Sequence, residues 1–266
     1  MIDHLNIKNI LIRLSKQNSF LFLISNFLSY KFLIHSGEHY KIIKLFSKKR
    51  IRILDIGGSY GESIKAFRKI NRNVRIISFE PKKNSYFNLK KNFTNYKNIK
   101  ILNFAIGTKK MKKKIFTPKI YNFSLNSWSS IKKSNLVYNL KKHCKNFFDK
   151  FEITEEKIEI KNLDDFYMFR PDIIKIDVEG NELDVIKSSN KILFNFKPVI
   201  IFELNKKNNL LESILLKKGY QFYVFRKNKL SKIRKLEDLN YKKTYNIISI
   251  HSKKKHFLNY ASNFQK

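Results

Sequence analysis

From Arg52 onward, apolar runs of strand length alternate with helix-like stretches, and this alternation narrows the choice of fold more than any other feature. Arg52–Ile56 (RILDI), Val74–Phe79 (VRIISF), Ile99–Ile106 (IKILNFAI), Asp172–Val178 (DIIKIDV) and Val199–Leu204 (VIIFEL) read as strands. Helical patterns at Glu62–Ile70, Ser85–Phe93, Glu182–Phe194 and Leu210–Lys218 follow the first, second, fourth and fifth of them. Strands that are apolar throughout need cover on both faces, which argues for a parallel sheet between two layers of helix. Tyr220–Phe225 and Tyr245–Ile250 add two strands joined by a polar stretch too weakly periodic for a crossover helix, so an antiparallel edge strand is expected. The fold class is therefore α/β, with a mostly parallel sheet and helices on both faces.

One connection breaks the pattern. Residues 108–171, between the third and fourth strands, are far more than a βα unit needs and read as an insertion, a candidate substrate lid. It carries a lysine run (Lys109–Lys114, interrupted by Met111), an aromatic and Ser/Asn-rich stretch (YNFSLNSWSS, 121–130) and a helix-like section near Leu136–Phe151. Residues 1–48 read as an N-terminal helical appendage, 49–252 as the main domain and 253–266 as a basic tail. The apolar run at 20–28 follows Lys8, Arg13 and Lys16, but it lacks a small-residue cleavage site and is too interrupted for a membrane span. Helices packed on the main domain are expected there, with peripheral contact at the inner membrane face as the alternative. A lone Cys144 excludes a disulfide framework or a multi-cysteine zinc site and fits a cytoplasmic location.

The net charge of +35, from 56 Lys+Arg against 21 Asp+Glu, invites a nucleic-acid reading. The bias, however, is one of lysine. Lys, Asn, Ile and Phe make up 136 of 266 residues, all of them encoded by A/T-rich codons, whereas Arg, the bidentate phosphate reader, occurs only 9 times. The charge thus argues weakly for nucleic acid, and no nucleic-acid partner is favoured.

Three constellations carry chemistry. Asp55-Ile56-Gly57-Gly58-Ser59-Tyr60-Gly61 closes the first strand, and its glycines let the backbone turn tightly against a ligand. The G-G-x-x-G spacing differs from the dinucleotide fingerprint. An acid two residues before Gly57 suits a ligand with cationic groups, such as the amino group and sulfonium of S-adenosyl-L-methionine. Glu80 ends the second strand 19 residues after Gly61, where a carboxylate can accept hydrogen bonds from ribose hydroxyls, and Asn103 to Ala105 would lie beside an adenine. Lys175-Ile176-Asp177-Val178-Glu179-Gly180 ends the fourth strand. Asp177 and Glu179 would share a face of an extended chain, placed to take a proton from a hydroxyl. Such a pair also holds divalent cations, a role no His cluster supports here. Four of the 21 acids fall within Asp177–Asp184, and Glu203 joins the same rim from the fifth strand.

Together LDIGGSYG, SFEP, the Asn-Ser-Trp-Ser stretch at 126–129, NLDDF at 162–166, KIDVEGNELDVIK and PVIIFE resemble the FkbM-type family of S-adenosylmethionine-dependent methyltransferases. The sequence departs from the family pattern at Gly58-Ser59 and at Ser188-Ser189. The resemblance implies a Rossmann-like seven-stranded methyltransferase fold. It also implies O-methylation of a hydroxyl on a small molecule or saccharide: a sugar, a polysaccharide precursor or a secondary metabolite. On this reading Asp55, Gly57, Gly58, Gly61, Glu80, Asn103 and Ala105 hold the cofactor, and Asp177 and Glu179 are catalytic. The rivals are an RNA methyltransferase, suggested by the charge, and a non-catalytic adenosyl-binding or surface-association module. No Asp-Pro-Pro-Tyr or Asn-Pro-Pro-Tyr follows the fourth strand, as amino-directed nucleic-acid methyltransferases show.

Overall fold

A computed structural model of the chain describes residues 38–46, 50–120, 123–204, 207–226, 229–239 and 245–254. Most of residues 1–48, where helices are expected, including the apolar run at 20–28, and most of the basic tail lie outside these residues. The part that is described, Glu38–Leu45, is a 3-10 helix that buries Ile42, Ile43 and Leu45.

The main sheet has eight strands in the order β11-β10-β12-β9-β8-β1-β2-β3. These are β1 (Ile51–Ile56), β2 (Val74–Phe79), β3 (Ile99–Leu102), β8 (Ile173–Ile176), β9 (Val199–Leu204), β10 (Tyr220–Arg226), β11 (Lys229–Ile233) and β12 (Tyr245–His251). β3, β2, β1, β8 and β9 run parallel, while β12 lies antiparallel between β9 and β10. The expected antiparallel edge is present, but β11 supplies it, paired antiparallel with β10. The polar stretch after Phe225 thus contains an eighth strand. Its residues, KLSKI, alternate too weakly to announce themselves.

Helices α1 (Glu62–Ile70), α2 (Lys83–Phe93), α4 (Glu182–Lys187), α5 (Asn190–Phe196) and α6 (Asn209–Lys217) accompany these strands. Period-two alternation splits the core in two. Leu54 and Ile56 of β1, Ile174 and Ile176 of β8, and Ile200 and Phe202 of β9 pack with Val185, Ile192 and Leu215 of α4, α5 and α6. Ile51, Ile53, Ile173, Val199 and Ile201 join the other cluster, with Ile64 and Phe67 of α1, Leu89 and Phe93 of α2, and Ile42 and Ile43.

Two differences from the sequence reading have local causes. The helix expected over Glu182–Phe194 is two helices, because the Ser188 and Ser189 hydroxyls donate back to the Val185 and Ile186 carbonyls, both at 2.8 Å, and compete with the helical ladder. The second helix restarts on Asp164 of NLDDF, whose carboxylate accepts from the Lys191 and Ile192 amides at 2.9 and 3.0 Å. The third strand breaks at Asn103, so that only Ile99–Leu102 stays in the main sheet. β4 (Ala105–Ile106) leaves to pair with β7 (Phe151–Lys161) in a second sheet.

That second sheet, β4-β7-β5-β6, is the core of the insertion, with β5 spanning Met111–Ile120 and β6 Phe123–Ser124. The helix expected near Leu136–Phe151 is α3 (Lys133–His143), followed by a 3-10 helix over Lys145–Lys150. The second half of the lysine run lies on β5 beside β7: Lys112 sits opposite Glu159 and Lys114 opposite Lys157, while Lys114 pairs with Glu155 at 2.5 Å and Lys110, just before the strand, with Asp165 at 3.1 Å. Lys110 and Lys114 of the run are thus paired within the insertion.

Candidate active site

On four neighbouring strands the same face of the sheet changes from apolar to polar at its carboxyl end. Ile51 and Ile53 of β1 give way to Asp55, Val74 and Ile76 of β2 to Ser78, Ile173 of β8 to Lys175, and Val199 and Ile201 of β9 to Glu203. Asp55 is in register with Ser78 on one side and Lys175 on the other. Ligands of doubly wound sheets bind at this edge.

Asp55 is fully buried. One carboxylate oxygen accepts from Ser63 Oγ at 2.8 Å and lies 3.5 Å from Lys175 Nζ, while the other accepts from Ser78 Oγ at 2.6 Å. This overturns its expected contact with a cationic ligand. With its oxygens turned inward, Asp55 anchors the glycine turn. Lys175 Nζ completes the anchor by donating to the Gly57 carbonyl at 2.9 Å and pairing with Asp177 at 3.4 Å. Burial works against its charge, but Asp177 and Asp55 outweigh that and raise its pKa above the usual lysine value. Tyr40 of the 3-10 helix at Glu38–Leu45 packs edge-on against Phe67 with ring centroids 4.9 Å apart, and burial raises its phenol. Ser63, Ser78 and Lys175 were missed as site residues. For the strand residues the signal was present, as polar side chains in phase with a buried apolar face.

The glycine turn is built as expected. Gly57 has φ +87° and its amide donates to Phe79 at 3.0 Å; a Cβ there would run into the carbonyl oxygen of Asp177. At Gly58 and Gly61 a Cβ would press on Leu89, and at Gly61 on Phe93 as well, so these two also let α2 approach the turn. Glu80 is buried. Its carboxylate accepts from the Ser59 amide at 2.8 Å and the Lys82 amide at 3.0 Å, joining its loop to the glycine turn. Burial raises its pKa, against the pull of those two amides. Each oxygen keeps a further lone pair for a hydroxyl donor.

The two residues expected beside an adenine fare differently. The Asn103 side-chain amide donates to the Glu80 and Pro81 carbonyls, both at 2.9 Å, which fixes the Glu80 loop and leaves only its oxygen for a ligand. Ala105 does not face the site. It is buried with Ile115, Ile158 and Ile160 in the second sheet, a correction that follows from the break of the third strand.

β8 ends at Ile176, so Asp177 and Glu179 do not share a strand face as expected. The chain turns instead, with Glu179 at φ +48° and Gly180 at φ +91°, a strained conformation for a glutamate. The turn still gathers acids. Burial, then Glu203, Asp177 and Glu182, push the Glu179 carboxyl well above the usual range. Burial, then Asp177 and Glu182, raise Glu203 to about 8 despite Lys175. The Asp177 side chain is 41% exposed. Among the described residues no group of three or more His, Cys, Asp and Glu could hold a metal ion, and no helix is long and apolar enough to cross a membrane.

A mostly parallel sheet with β12 inserted antiparallel between β9 and β10, a glycine turn after the first strand and an acid after the second define the class of Rossmann-like methyltransferases. The chain belongs to the FkbM methyltransferase family: the methyltransferase FkbM domain matches residues 55–242. No curated protein matches the sequence. Among solved structures, it is similar to the methyltransferase FkbM of Methylobacillus flagellatus, with 16% identity, a TM-score of 0.48 and coverage of 76% of this chain. The chain spans only 44% of that protein's length. It is also similar to an S-adenosylmethionine-dependent O-methyltransferase of Thermotoga maritima (10% identity, TM-score 0.38, 82% of this chain and 65% of that one). An rRNA methylase of Streptococcus thermophilus is similar too (6% identity, TM-score 0.40, 82% and 95%).

The cofactor of this class is S-adenosyl-L-methionine, and the residues present fit it. Glu80 offers carboxylate oxygens for ribose hydroxyls. The half-exposed Asp177 offers negative charge for a cationic donor, and the turn at Gly57 has no room for a side chain.

Proposed function

We propose that this chain methylates a hydroxyl of a small molecule or saccharide, with a sugar, polysaccharide precursor or secondary metabolite as the acceptor class. The observation that carries this reading is the placing of Glu179 and Glu203, two carboxyls above their usual range, beside the open Asp177 at the carboxyl edge of β8 and β9. When bound, S-adenosylmethionine supplies an electrophilic methyl group. The chain's own residues then position and deprotonate. Glu80 holds the donor through its ribose hydroxyls. An alcohol is a poor nucleophile, and a carboxyl that ionises near pH 8 matches the task of taking its proton better than an ordinary glutamate does. Asp177 orients the hydroxyl, and the Glu179–Glu203 pair receives the proton. The insertion over 108–171 forms the acceptor side, the N-terminal residues 1–48 are an appendage, and a cytoplasmic location suits the buried lone Cys144.

RNA methylation is the less favoured reading, because only 9 of the 56 cations are arginine and two lysines of the insertion's run are paired within the insertion. The test is turnover of S-adenosylmethionine to S-adenosylhomocysteine against a panel of saccharides and total RNA. Turnover with RNA alone would overturn the hydroxyl assignment for small acceptors.

A pH dependence follows. Glu203 works as a base only when ionised, so the rate with a saturating acceptor should rise as pH passes about 8, and Glu203→Gln should remove that limb. Stability should move the other way. A carboxyl whose folded pKa lies above its unfolded one binds its proton more tightly in the fold. Its contribution is therefore full below the unfolded value, about 4.3, and is lost as pH rises through about 8. Urea midpoints across this range should fall in the wild type and fall less in Glu203→Gln.

A further inference from the structure

The stretch Asn126–Ser130 of the insertion is tied to both sides of the donor cleft. On one side, the Asn126 side-chain oxygen accepts from the Lys82 ammonium, and Asn126 also bonds the Tyr60 phenol of the glycine turn. Lys82 Nζ donates in addition to Ser129 Oγ at 3.1 Å, and that hydroxyl lies 2.8 Å from Thr117 Oγ1. On the other side, Ser130 Oγ donates to the Glu179 carbonyl at 3.1 Å and the Asn135 amide to the Gly180 carbonyl at 3.3 Å. Lys82 is an unusual residue for a surface insertion to rest on, since it is only 7% exposed. Its own amide binds Glu80, so the residue that grips the insertion also shapes the carboxylate expected to hold the ribose.

We propose that Lys82 and Asn126 form a latch that fixes the acceptor-side insertion to the donor-side turns, so that the donor at Glu80 orders the acceptor site. Both are positioning residues: they act through the Glu80 turn and the 126–130 strap rather than on reacting atoms. The coupling half of the proposal rests on the methyltransferase reading, whereas the latch itself does not. The charges facing Lys82 are Glu80 from the end of β2 and Glu156 from β7, with the Tyr60 phenol reached through Asn126. Burial lowers the Lys82 ammonium to about 8 against those two acids, so the latch weakens in the neighbourhood of that pH.

Hydrogen exchange on the full chain tests this at the Trp128 and Ser129 amides, which bond the Leu125 and Asn126 carbonyls. Without ligand at pH 7, Lys82→Met should exchange at these amides about tenfold faster than wild type, as loss of hydrogen bonds to a charged group implies. Lys82→Arg should restore protection and keep it at pH 9, where the wild type loses it after correction for intrinsic rates. The amides of Lys112–Lys114, at the far end of the hairpin, should not change. Equal strap exchange in Lys82→Met and wild type would overturn the latch, as would a uniform acceleration across the insertion. S-adenosylhomocysteine should slow strap exchange in the wild type but not in Lys82→Met. Calorimetric binding of that ligand without slowing would overturn the coupling. Absence of binding would instead overturn the methyltransferase reading, and the ligand-free comparison would still decide the latch.

Discussion

Gly57→Ala is expected to abolish donor binding and to destabilise the fold by about 3 kcal/mol or more, since a left-handed non-glycine residue alone costs roughly 1–2 kcal/mol and a backbone collision adds to it. The residue has φ +87°, and a Cβ on it meets the carbonyl oxygen of Asp177, part of the main chain that leaves β8. A carbonyl cannot rotate aside like a flexible side chain, so β1 and β8 must separate where they converge on the site. The Asp177 amide, which donates to the Ile56 carbonyl at 2.9 Å, would be strained with them. A larger substitution such as Gly57→Val meets the same carbonyl and therefore cannot separate loss of binding from loss of fold. Urea denaturation of Gly57→Ala beside wild type measures the effect, and an unchanged midpoint would show that the turn relaxes.

Lys175→Met should be the second severe variant. It leaves Asp55, fully buried, with two serine hydroxyls and no cation. Breaking a buried ion pair from one side typically costs about 3–5 kcal/mol, which for a domain of this size lowers Tm by roughly 10 °C. The same change frees the Gly57 carbonyl and removes the partner of Asp177, so donor affinity should fall with stability. Thermal melts of Lys175→Met, Asp55→Asn and the double variant separate the causes. The double variant should recover a good part of the loss, because it no longer buries an unpaired charge. Strict additivity of the two single changes would argue that the pair does not act as a unit.

The sequence carried the parallel sheet because β1, β2, β8 and β9 are mostly apolar runs, each followed by a helix. It did not carry β11, whose polar alternation resembles a loop, or the departure of β4, which depends on Asn103 bonding the Glu80 loop across the fold. The break at Ser188-Ser189 was present as a departure from the family pattern, yet only its effect on the helix ladder gives it meaning. At the site, Gly57, Glu80 and Asp177 could be picked out from their places at strand ends. Asp55 was found for the wrong reason, because spacing shows that an acid reaches the edge but not whether its oxygens face ligand or core. Lys175 was passed over as one of many lysines. Its phase with Ile173 on a buried face sets it apart from the exposed ones. Lys82 and Asn126 meet across 44 residues, a contact that no local pattern announces.

The central claim, that the polar carboxyl ends of β1, β2 and β8 hold an adenosyl donor, is tested most directly by calorimetric titration of S-adenosylhomocysteine into the wild-type chain and Glu80→Gln. Single-site binding is expected in the wild type, weakened about tenfold in Glu80→Gln by loss of a charge-assisted hydrogen bond, with both proteins melting as folded domains. No binding by the folded wild type, or equal affinity in the two proteins, would contradict it.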